Sequence, residues 1–151
     1  MITYLKGDAT KPKQPGRKII AHICNDIGKW GRGFVMALSA SYKKPEKYYL
    51  EWHQNGNDFQ LGEIQVVNVK PELDVVNMIA QRHIFPMNGI PPIRYEALSS
   101  CLEKLAVYAI SQNASIHMPR IGAGLAGGEW SKIEEIIEKE LKDVEVFIYD
   151  L

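Results

Sequence analysis

Two glycine-rich segments constrain this chain more than any other feature of its sequence. Seven of its twelve glycines lie in two short windows, residues 28–33 and 122–128. Each window follows an apolar stretch with strand character and precedes a stretch with helical spacing. A strand, a glycine loop and a helix in series bring backbone N–H groups and a helix N-terminus to one edge of a sheet, which suits phosphate. The alternative is two tight turns that need glycine for steric reasons only.

The pattern along the rest of the chain predicts an α/β protein. Alternating strands and helices favour a three-layer α/β/α sandwich around a mixed central sheet of about six strands. The expected strands are residues 2–5, 18–24, 63–69, 75–80, 115–118 and 144–149, and the expected helices start at Phe34 and cover 45–54, 94–112 and 132–141. The third and fourth strands are close enough in sequence to pair as an antiparallel hairpin. A length of 151 residues predicts a single domain over 1–151.

Charge and cysteine content limit the partners and the compartment. The chain has 18 basic and 18 acidic residues, so no net basic charge favours nucleic acid or a membrane surface. Any charged ligand must therefore be held by local geometry. Cys24 and Cys101 lie far apart without metal-ligand spacing, and the first residues lack a leader-like apolar core. We therefore expect a cytoplasmic protein with no metal and no cofactor.

The second window also matches a dinucleotide-binding fingerprint. Gly122, Gly124 and Gly127 have the required spacing, and Asp150 follows roughly twenty residues later. This match falls in the last strand, loop, helix and strand of the chain, which leaves no second half to bind a nicotinamide. A dehydrogenase of the Rossmann type is therefore excluded, but phosphate binding is not.

Four segments taken together resemble a known family. These are residues 2–8, 22–33, 118–125 and 146–149, which occur in the order found in macrodomains and span nearly the whole chain. Within that family the chain is similar to two small branches, the ADP-ribose 1''-phosphate phosphatases and the deacylating ADP-ribose glycohydrolases. The resemblance implies ADP-ribose or a derivative as ligand, with ADP-ribosylated protein as a further partner. It implies a hydrolase, with a non-catalytic ADP-ribose-binding module as the alternative.

The resemblance assigns three side chains to the ends of the ligand. Asp8, followed by Ala9, corresponds to the carboxylate that accepts a hydrogen bond from the adenine amino group. Asn25 corresponds to the amide that fixes the distal ribose, and Tyr149 to an aromatic residue that stacks on adenine. The alternatives are a loop-capping aspartate, a turn-forming asparagine and a tyrosine that packs at the edge of the last strand.

The two loops themselves are implied to hold the middle of the ligand. The first loop would wrap the distal ribose and one phosphate, with Trp30 as a mobile cover, and the second would donate N–H groups to the diphosphate. The residues concerned are Trp30, Gly31, Arg32, Gly33, Ile121, Gly122, Ala123, Gly124, Leu125 and Ala126.

Catalysis is predicted to involve His22 or Asp26 beside Asn25. His22 matches a histidine of the phosphatase branch and has an intrinsic pKa suited to proton transfer, and Asp26 would polarise a water. The alternatives are a satisfied histidine at the end of a buried strand and an exposed loop carboxylate. Arg82 and His83 are expected to be solvated.

One departure separates the chain from the deacylating branch. Those enzymes carry a lysine near the end of the fourth strand and an aspartate in the second loop, whereas this chain has Gln81 and Ala126 there. An amide is not an amine nucleophile and a methyl group takes no proton, so ester hydrolysis would need a route without the lysine. The first loop and His22 favour the phosphatase-like branch.

Overall fold

The computed structural model describes residues 1–151 and contains six strands and four helices. In chain order they are β1 (Ile2–Lys6), β2 (Lys18–Asn25), α1 (Phe34–Ser41), α2 (Lys44–Asn55), β3 (Ile64–Lys70), β4 (Leu73–Gln81), α3 (Tyr95–Gln112), β5 (Ser115–Met118), α4 (Trp130–Glu140) and β6 (Val146–Asp150). The predicted α/β class is confirmed.

All six strands form one sheet in the order β1-β6-β5-β2-β4-β3. Five strands run parallel, and β3 pairs antiparallel with β4 as the expected hairpin. The mixed six-stranded sheet is thus confirmed. Because β2 and β5 are parallel neighbours, with Ile20 opposite His117, the loops that follow them leave the sheet at the same edge.

Element boundaries differ from the sequence prediction where local hydrogen bonds decide them. The hairpin turn is shorter than predicted, because β3 extends to Lys70, β4 begins at Leu73 and Glu72 takes a left-handed φ of 62°. The last strand begins at Val146, not at Val144, because the Val144 N–H donates to the Leu141 carbonyl in the turn after α4.

The two faces of the sheet are covered unequally. The α3 and α4 face has a core of 22 buried residues, whereas the α1 and α2 face has a cluster of only four, Ile20, Leu38, Leu73 and Val75. Alternation along β2 explains the split, since Ile19 and Ala21 face one layer and Ile20 the other. The layer that carries the first glycine loop is therefore the thinner one.

Polar side chains occupy the second face over β5 and β6. His117 is fully buried there; its Nε2 lies 2.8 Å from Ser115 Oγ and its Nδ1 lies 2.7 Å from the Tyr149 hydroxyl. That hydroxyl donates in turn to Gln14 Oε1 at 3.1 Å. The segment between β1 and β2 is thereby tied to the sheet by hydrogen bonds where a helix would otherwise pack.

A buried carboxylate joins three elements at the start of β4. Asp74 is fully buried and accepts hydrogen bonds from Arg17 Nη2 at 2.8 Å, Asn68 Nδ2 at 3.0 Å and the Tyr108 hydroxyl at 2.5 Å. Burial alone would raise the pKa of Asp74, but the hydrogen bonds from Tyr108, Asn68 and Arg17 outweigh it and hold that pKa below its ordinary value. This network fixes the hairpin against α3.

None of the four helices combines the length and the apolar composition needed to cross a membrane. Both cysteines are free and buried. The compartment stays a prediction.

Replacing Asp74 should destabilise the fold. We expect Asp74→Ala to lower the free energy of unfolding at pH 7 by about 2 to 3 kcal/mol, because it removes the carboxylate that accepts hydrogen bonds from Arg17 and Tyr108. Since the pKa of Asp74 is lowered on folding, its contribution is present above the ordinary carboxylate pKa and is lost as the pH falls through the lowered value.

Urea denaturation monitored by circular dichroism measures this effect, with the exposed Asp143→Ala as control. The control should stay within about 0.5 kcal/mol of the unsubstituted protein. Equal losses in the two variants would contradict the role given to Asp74.

Candidate functional site: two loops at one sheet edge

The two glycine loops meet at the carboxyl edge of the central strands. The first follows Asn25 at the end of β2, and the second follows Met118 at the end of β5. A Cβ placed on Gly33 would lie 3.6 Å from Leu125 Cδ1, so the loops are in van der Waals reach of each other. The convergence that phosphate binding requires is therefore present.

Both loops carry backbone amides that donate to no group of the protein. In the first loop these belong to four consecutive residues ahead of α1, Trp30, Gly31, Arg32 and Gly33. In the second loop the unpaired N–H groups are those of Gly122, Gly124, Leu125 and Ala126. Two further predicted donors are used internally, since Ile121 N–H bonds the Pro119 carbonyl and Ala123 N–H bonds the Arg120 carbonyl. Unpaired amides at a helix N-terminus favour an anionic ligand.

Some of the glycines in the windows are required by the fold. Gly122 has a φ of 73°, and a Cβ there would lie 2.3 Å from Ile93 Cδ1. A Cβ on Gly28 would lie 2.4 Å from His53 Nδ1, and one on Gly128 would lie 2.6 Å from the Gly122 carbonyl oxygen. The steric interpretation is therefore sufficient for these positions.

It is not sufficient for Gly31 and Gly124. Neither has a positive φ, and a Cβ on either residue would meet no protein atom within 4 Å. Each loop thus contains one glycine that borders open space beside unpaired amides. A side chain there would occupy the volume that a ligand needs in order to reach those amides.

Asn25 organises the first loop. Its Oδ1 accepts hydrogen bonds from the N–H groups of Ile27 and Lys29, both at 3.1 Å, and its Nδ2 donates to the Lys29 carbonyl at 2.7 Å. The fully buried Tyr49 places its hydroxyl 2.8 Å from the same Oδ1. The turn-forming alternative describes these contacts, and one N–H of Nδ2 stays available for a ribose hydroxyl.

Only one of the two carboxylate oxygens of Asp8 is hydrogen-bonded within the protein. Oδ1 accepts hydrogen bonds from the Thr10 N–H at 2.9 Å and the Thr10 hydroxyl at 2.7 Å, while Oδ2 bonds no protein group. These bonds from Thr10 hold the pKa of Asp8 below its ordinary value. Asp8 is therefore a fixed, ionised acceptor after β1, and Ala9 beside it is buried.

His22 is enclosed and neutral. It is 2% exposed, its Nε2 lies 2.6 Å from Asn77 Oδ1, and Trp30 packs edge-on at 5.3 Å between ring centroids. Because Asn77 Nδ2 already donates to Pro45 and Gln65, its Oδ1 must accept, so His22 carries its proton on Nε2. Burial lowers the pKa of His22 to about 4. The placement matches the histidine in a buried strand that the sequence left open, but only Nε2 is hydrogen-bonded, since Nδ1 is buried without a partner.

Asp26 lies between the first loop and the end of β4. Its Oδ1 accepts the His83 N–H at 2.8 Å, and Arg82 lies 3.6 Å from its Oδ2. Gln81 is the register partner of Asn25 on β4. The Asp26 carboxylate and the Gln81 amide therefore both lie near Asn25.

The two predicted aromatic ligands are both held by other contacts. Trp30 is half-buried, donates to Ser39 Oγ at 2.8 Å and packs against Tyr49 at 5.4 Å. Tyr149 is 8% exposed and belongs to the His117 network. The edge-packing alternative describes Tyr149 in this structure, and its stacking on adenine stays a prediction.

Sequence reasoning missed the residues that support the site. Thr10, Tyr49, Asn77 and His117 hold Asp8, Asn25, His22 and Tyr149 respectively. Only Thr10 had a local signal, because an Asp followed two residues later by Thr is typical of a side-chain-capped turn. The others reach their partners through the tertiary fold.

Two other features bear on ligand binding. No group of three or more His, Cys, Asp or Glu residues is placed to hold a metal ion. A cavity of about 490 Å³ lies at the opposite edge of the sheet, where Arg17, Asn113 and Ser115 are among its lining residues. We place the functional site at the glycine loops nevertheless, because the unpaired amides are there.

Asp150, the acidic residue of the dinucleotide-binding fingerprint, is paired with Arg120. The two hydrogen bonds from the Arg120 guanidinium to the Asp150 carboxylate are 2.6 and 2.9 Å long.

Solved structures with the same architecture are found among bacterial proteins. A protein of unknown function from Bacteroides thetaiotaomicron is 51% identical, with 100% of this chain and 98% of that chain covered and a TM-score of 0.98. A macrodomain protein from Streptomyces coelicolor is 45% identical, with 100% and 99% covered and a TM-score of 0.88.

Curated relatives of more than one kind are found, although no family model matches the chain. The chromodomain-helicase-DNA-binding protein 1-like of Mus musculus is 31% identical over 98% of this chain, which spans only 17% of that protein's length. The ADP-ribose 1''-phosphate phosphatase of Lodderomyces elongisporus is 26% identical, with 99% of both chains covered.

Alanine substitutions should separate the structural glycines from the others. We expect Gly122→Ala to lower the free energy of unfolding by about 2 kcal/mol, because of its positive φ and the contact with Ile93. Gly31→Ala and Gly124→Ala should change it by less than about 0.5 kcal/mol. Urea denaturation of the three variants tests this; similar losses in all three would mean that every glycine serves the fold.

The buried histidines should make folding sensitive to acid. Burial lowers the pKa of both His22 and His117 to about 4, so the unfolded chain binds protons more readily between pH 6.5 and 4. Stability should be full above pH 6.5 and fall towards pH 4. In NMR titrations the ring C–H signals of both residues should not titrate between pH 5.5 and 8, and a His22 transition near pH 7 would restore the acid-base role.

Proposed function

Because the chain belongs to the macrodomain family, we propose that it binds ADP-ribose and hydrolyses ADP-ribose 1''-phosphate to ADP-ribose and inorganic phosphate. The observation that carries the proposal is the pair of facing loops with eight unpaired amides and two glycines that border open space. The pyrophosphate of ADP-ribose is the group that matches this surface, since it presents anionic oxygens to donors from both sides.

The ends of the ligand follow from the strands that flank the loops. β1 ends near Asp8, whose free Oδ2 suits the amino group of adenine. Asn25 ends β2 and would direct its remaining N–H to the distal ribose. The ligand would thus run along the carboxyl edge of the sheet, with adenine at the β1 side and the distal ribose at the β2 side.

Hydrolysis of the terminal phosphate needs a water and a place for its proton. In the proposed reaction a water oxygen attacks the phosphorus while the water gives up a proton to Asp26, and the bond from phosphorus to the ribose oxygen breaks. The ribose oxygen then takes up that proton and leaves as the hydroxyl of ADP-ribose. Asp26 is the carboxylate nearest in sequence to Asn25, and its Oδ2 faces only Arg82 at 3.6 Å. We assign to Asp26 the role of polarising the attacking water. We assign to the amides of residues 30–33 the stabilisation of the negative charge that develops on the phosphate.

A non-catalytic ADP-ribose-binding module is the second candidate. Two observations favour it: His22 is enclosed with a pKa of about 4, and the side chain of Asn25 is largely used by its own loop. Binding needs only the loops and Asp8, whereas turnover needs a positioned base. Free ADP-ribose and ADP-ribosylated protein are both candidate ligands of such a module. Hydrolysis of ADP-ribosyl esters is the third candidate. It would proceed without the lysine of the deacylating branch, because this chain has Gln81 at that position.

Binding should be measurable by calorimetry and should depend on Asp8. Asp8→Ala should weaken ADP-ribose about tenfold, because it removes a hydrogen bond to a charged acceptor. The unsubstituted protein should prefer ADP-ribose over its inosine analogue, which lacks the amino group, and the variant should lose that preference. Asp143→Ala, which removes an exposed carboxylate elsewhere, is the matched control.

Gly124→Ala should weaken both nucleotides equally, because the added methyl group enters the space over the amides. Absence of detectable binding to the unsubstituted protein would remove all three candidate functions. Retained adenine preference in Asp8→Ala would remove the assignment of that residue only.

Turnover distinguishes the first candidate from the second. Inorganic phosphate should be released from ADP-ribose 1''-phosphate, and Asp26→Asn should slow release about 100-fold or more while ADP-ribose affinity is kept. The amide oxygen can still accept the His83 N–H, so the loop should remain in place. Asp143→Asn serves as control, and binding without release by the unsubstituted protein would support the binding module.

A further inference from the structure

A second cavity of about 310 Å³ lies at the edge of the sheet opposite the glycine loops. Lys18 and Leu73, which begin β2 and β4 and are register partners, contribute to its wall. Seven residue steps along β2 separate Lys18 from Asn25, which corresponds to about 23 Å. The cavity is therefore distant from Asn25 and the first glycine loop, whereas one of its lining residues, Lys11, lies close enough to Asp8 to lower the pKa of that carboxylate.

Four lysines line this cavity, and they come from three parts of the chain. They are Lys11 and Lys13 from the β1–β2 segment, Lys18 from β2, and Lys70 from the end of β3. Glu72 is the only acidic residue in the lining. Because the whole chain has equal numbers of basic and acidic residues, composition does not explain the convergence. Like charges in one concavity repel, and a bound anion relieves that repulsion.

The cavity wall is held in place by specific contacts. Lys18 Nζ donates to the Gly16 carbonyl at 2.7 Å, and the Tyr42 hydroxyl donates to the Thr10 carbonyl at 3.0 Å. Pro12 separates Lys11 from Lys13, and Pro71 follows Lys70, so a fixed proline φ adjoins three of the four lysines. These contacts fix the backbone around the cavity, whereas the side chains of Lys11, Lys13 and Lys70 are exposed.

We propose that this lysine-lined cavity is a second anion-binding site that takes a small phosphate-bearing molecule. Ammonium groups bind phosphate oxygens as point charges and need no planar geometry. A volume of about 310 Å³ is at the lower end of ligand pockets and suits a phosphate or diphosphate group, not an enclosed polymer strand.

Inorganic pyrophosphate is the probe, and NMR amide shifts locate where it binds. Pyrophosphate also resembles the centre of ADP-ribose, so the signals of Tyr42, Glu72 and Leu73 report the lysine-lined cavity and those of Gly31 and Gly124 report the loops. We expect both groups of signals to shift, with separate titration curves. Shifts confined to the loops, or no shift at all, would overturn the proposal.

Variants at the cavity test the charges. Lys13→Gln combined with Lys70→Gln should weaken pyrophosphate about tenfold or more at the Tyr42, Glu72 and Leu73 signals and leave the Gly124 curve unchanged. Lys11 is left intact because it contributes to the lowered pKa of Asp8. Glu72→Gln should strengthen binding, since it removes the only carboxylate of the lining without changing the backbone preference.

The control is Lys139→Gln combined with Lys142→Gln, which removes the same charge from exposed positions at the end of α4. An equal loss in the control pair would show that only net charge matters and would overturn the site. A single-stranded oligonucleotide is titrated in parallel. If it bound the same residues more tightly than pyrophosphate, the surface would belong to a polymer, and the small-molecule proposal would be wrong.

Discussion

The parallel pairing of β2 with β5 is the constraint on which the functional part of the molecule depends. It sets Ile20 opposite His117 and sends both strands in one direction, so that the glycine loops leave the sheet at a common edge. If β2 and β5 were antiparallel, the two loops would lie at opposite edges of the sheet. Their amides could then not bind one and the same ligand. β1 and β6, also parallel, bring Asp8 and Tyr149 towards that edge. Strand direction thus brings the loop amides, Asp8 and Asn25, for which we propose contacts with the phosphates, adenine and the distal ribose, to one edge of the sheet.

Glycine has two different functions within the same windows. Gly28, Gly122 and Gly128 are glycine because another residue would collide with His53, Ile93 or the chain itself. A Cβ on Gly31 or Gly124 would meet no protein atom within 4 Å, so the fold does not require glycine at these two positions for lack of space. The sequence shows seven glycines, and only the three-dimensional packing separates the two kinds. The steric interpretation therefore accounts for some of the glycines, and the ligand-binding interpretation stays a prediction for the others.

The sequence predicted the fold well because its signals are local and periodic. Short apolar runs with β-branched residues defined the strands, Pro45 and Asn55-Gly56 bounded α2, and the short turn after β3 indicated the hairpin. Side-chain environments were harder to predict. That His22 is enclosed depends on Asn77 from β4 and Trp30 from the loop, and the contacts of Tyr149 depend on His117 and Gln14. These partners are distant in the chain, so the contacts could not be predicted from composition or from residue spacing. The resemblance to macrodomains named the residues expected to face a ligand, but not the residues that hold them in place.

The unequal layers of the sandwich have a consequence for how the molecule opens. The α1 and α2 side has a cluster of four buried residues against 22 on the other side, and α1 itself buries only Leu38 and has no side-chain cap. Regions with few buried contacts open locally at low free energy, so we expect the amides of α1 and of the loop before it to exchange early in hydrogen exchange. An anion bound at the start of α1 would accept hydrogen bonds from the uncapped amides and would slow this local opening. Ligand binding and the local stability of α1 would then be linked. The exchange rates of the α1 amides would therefore show whether an anion is bound.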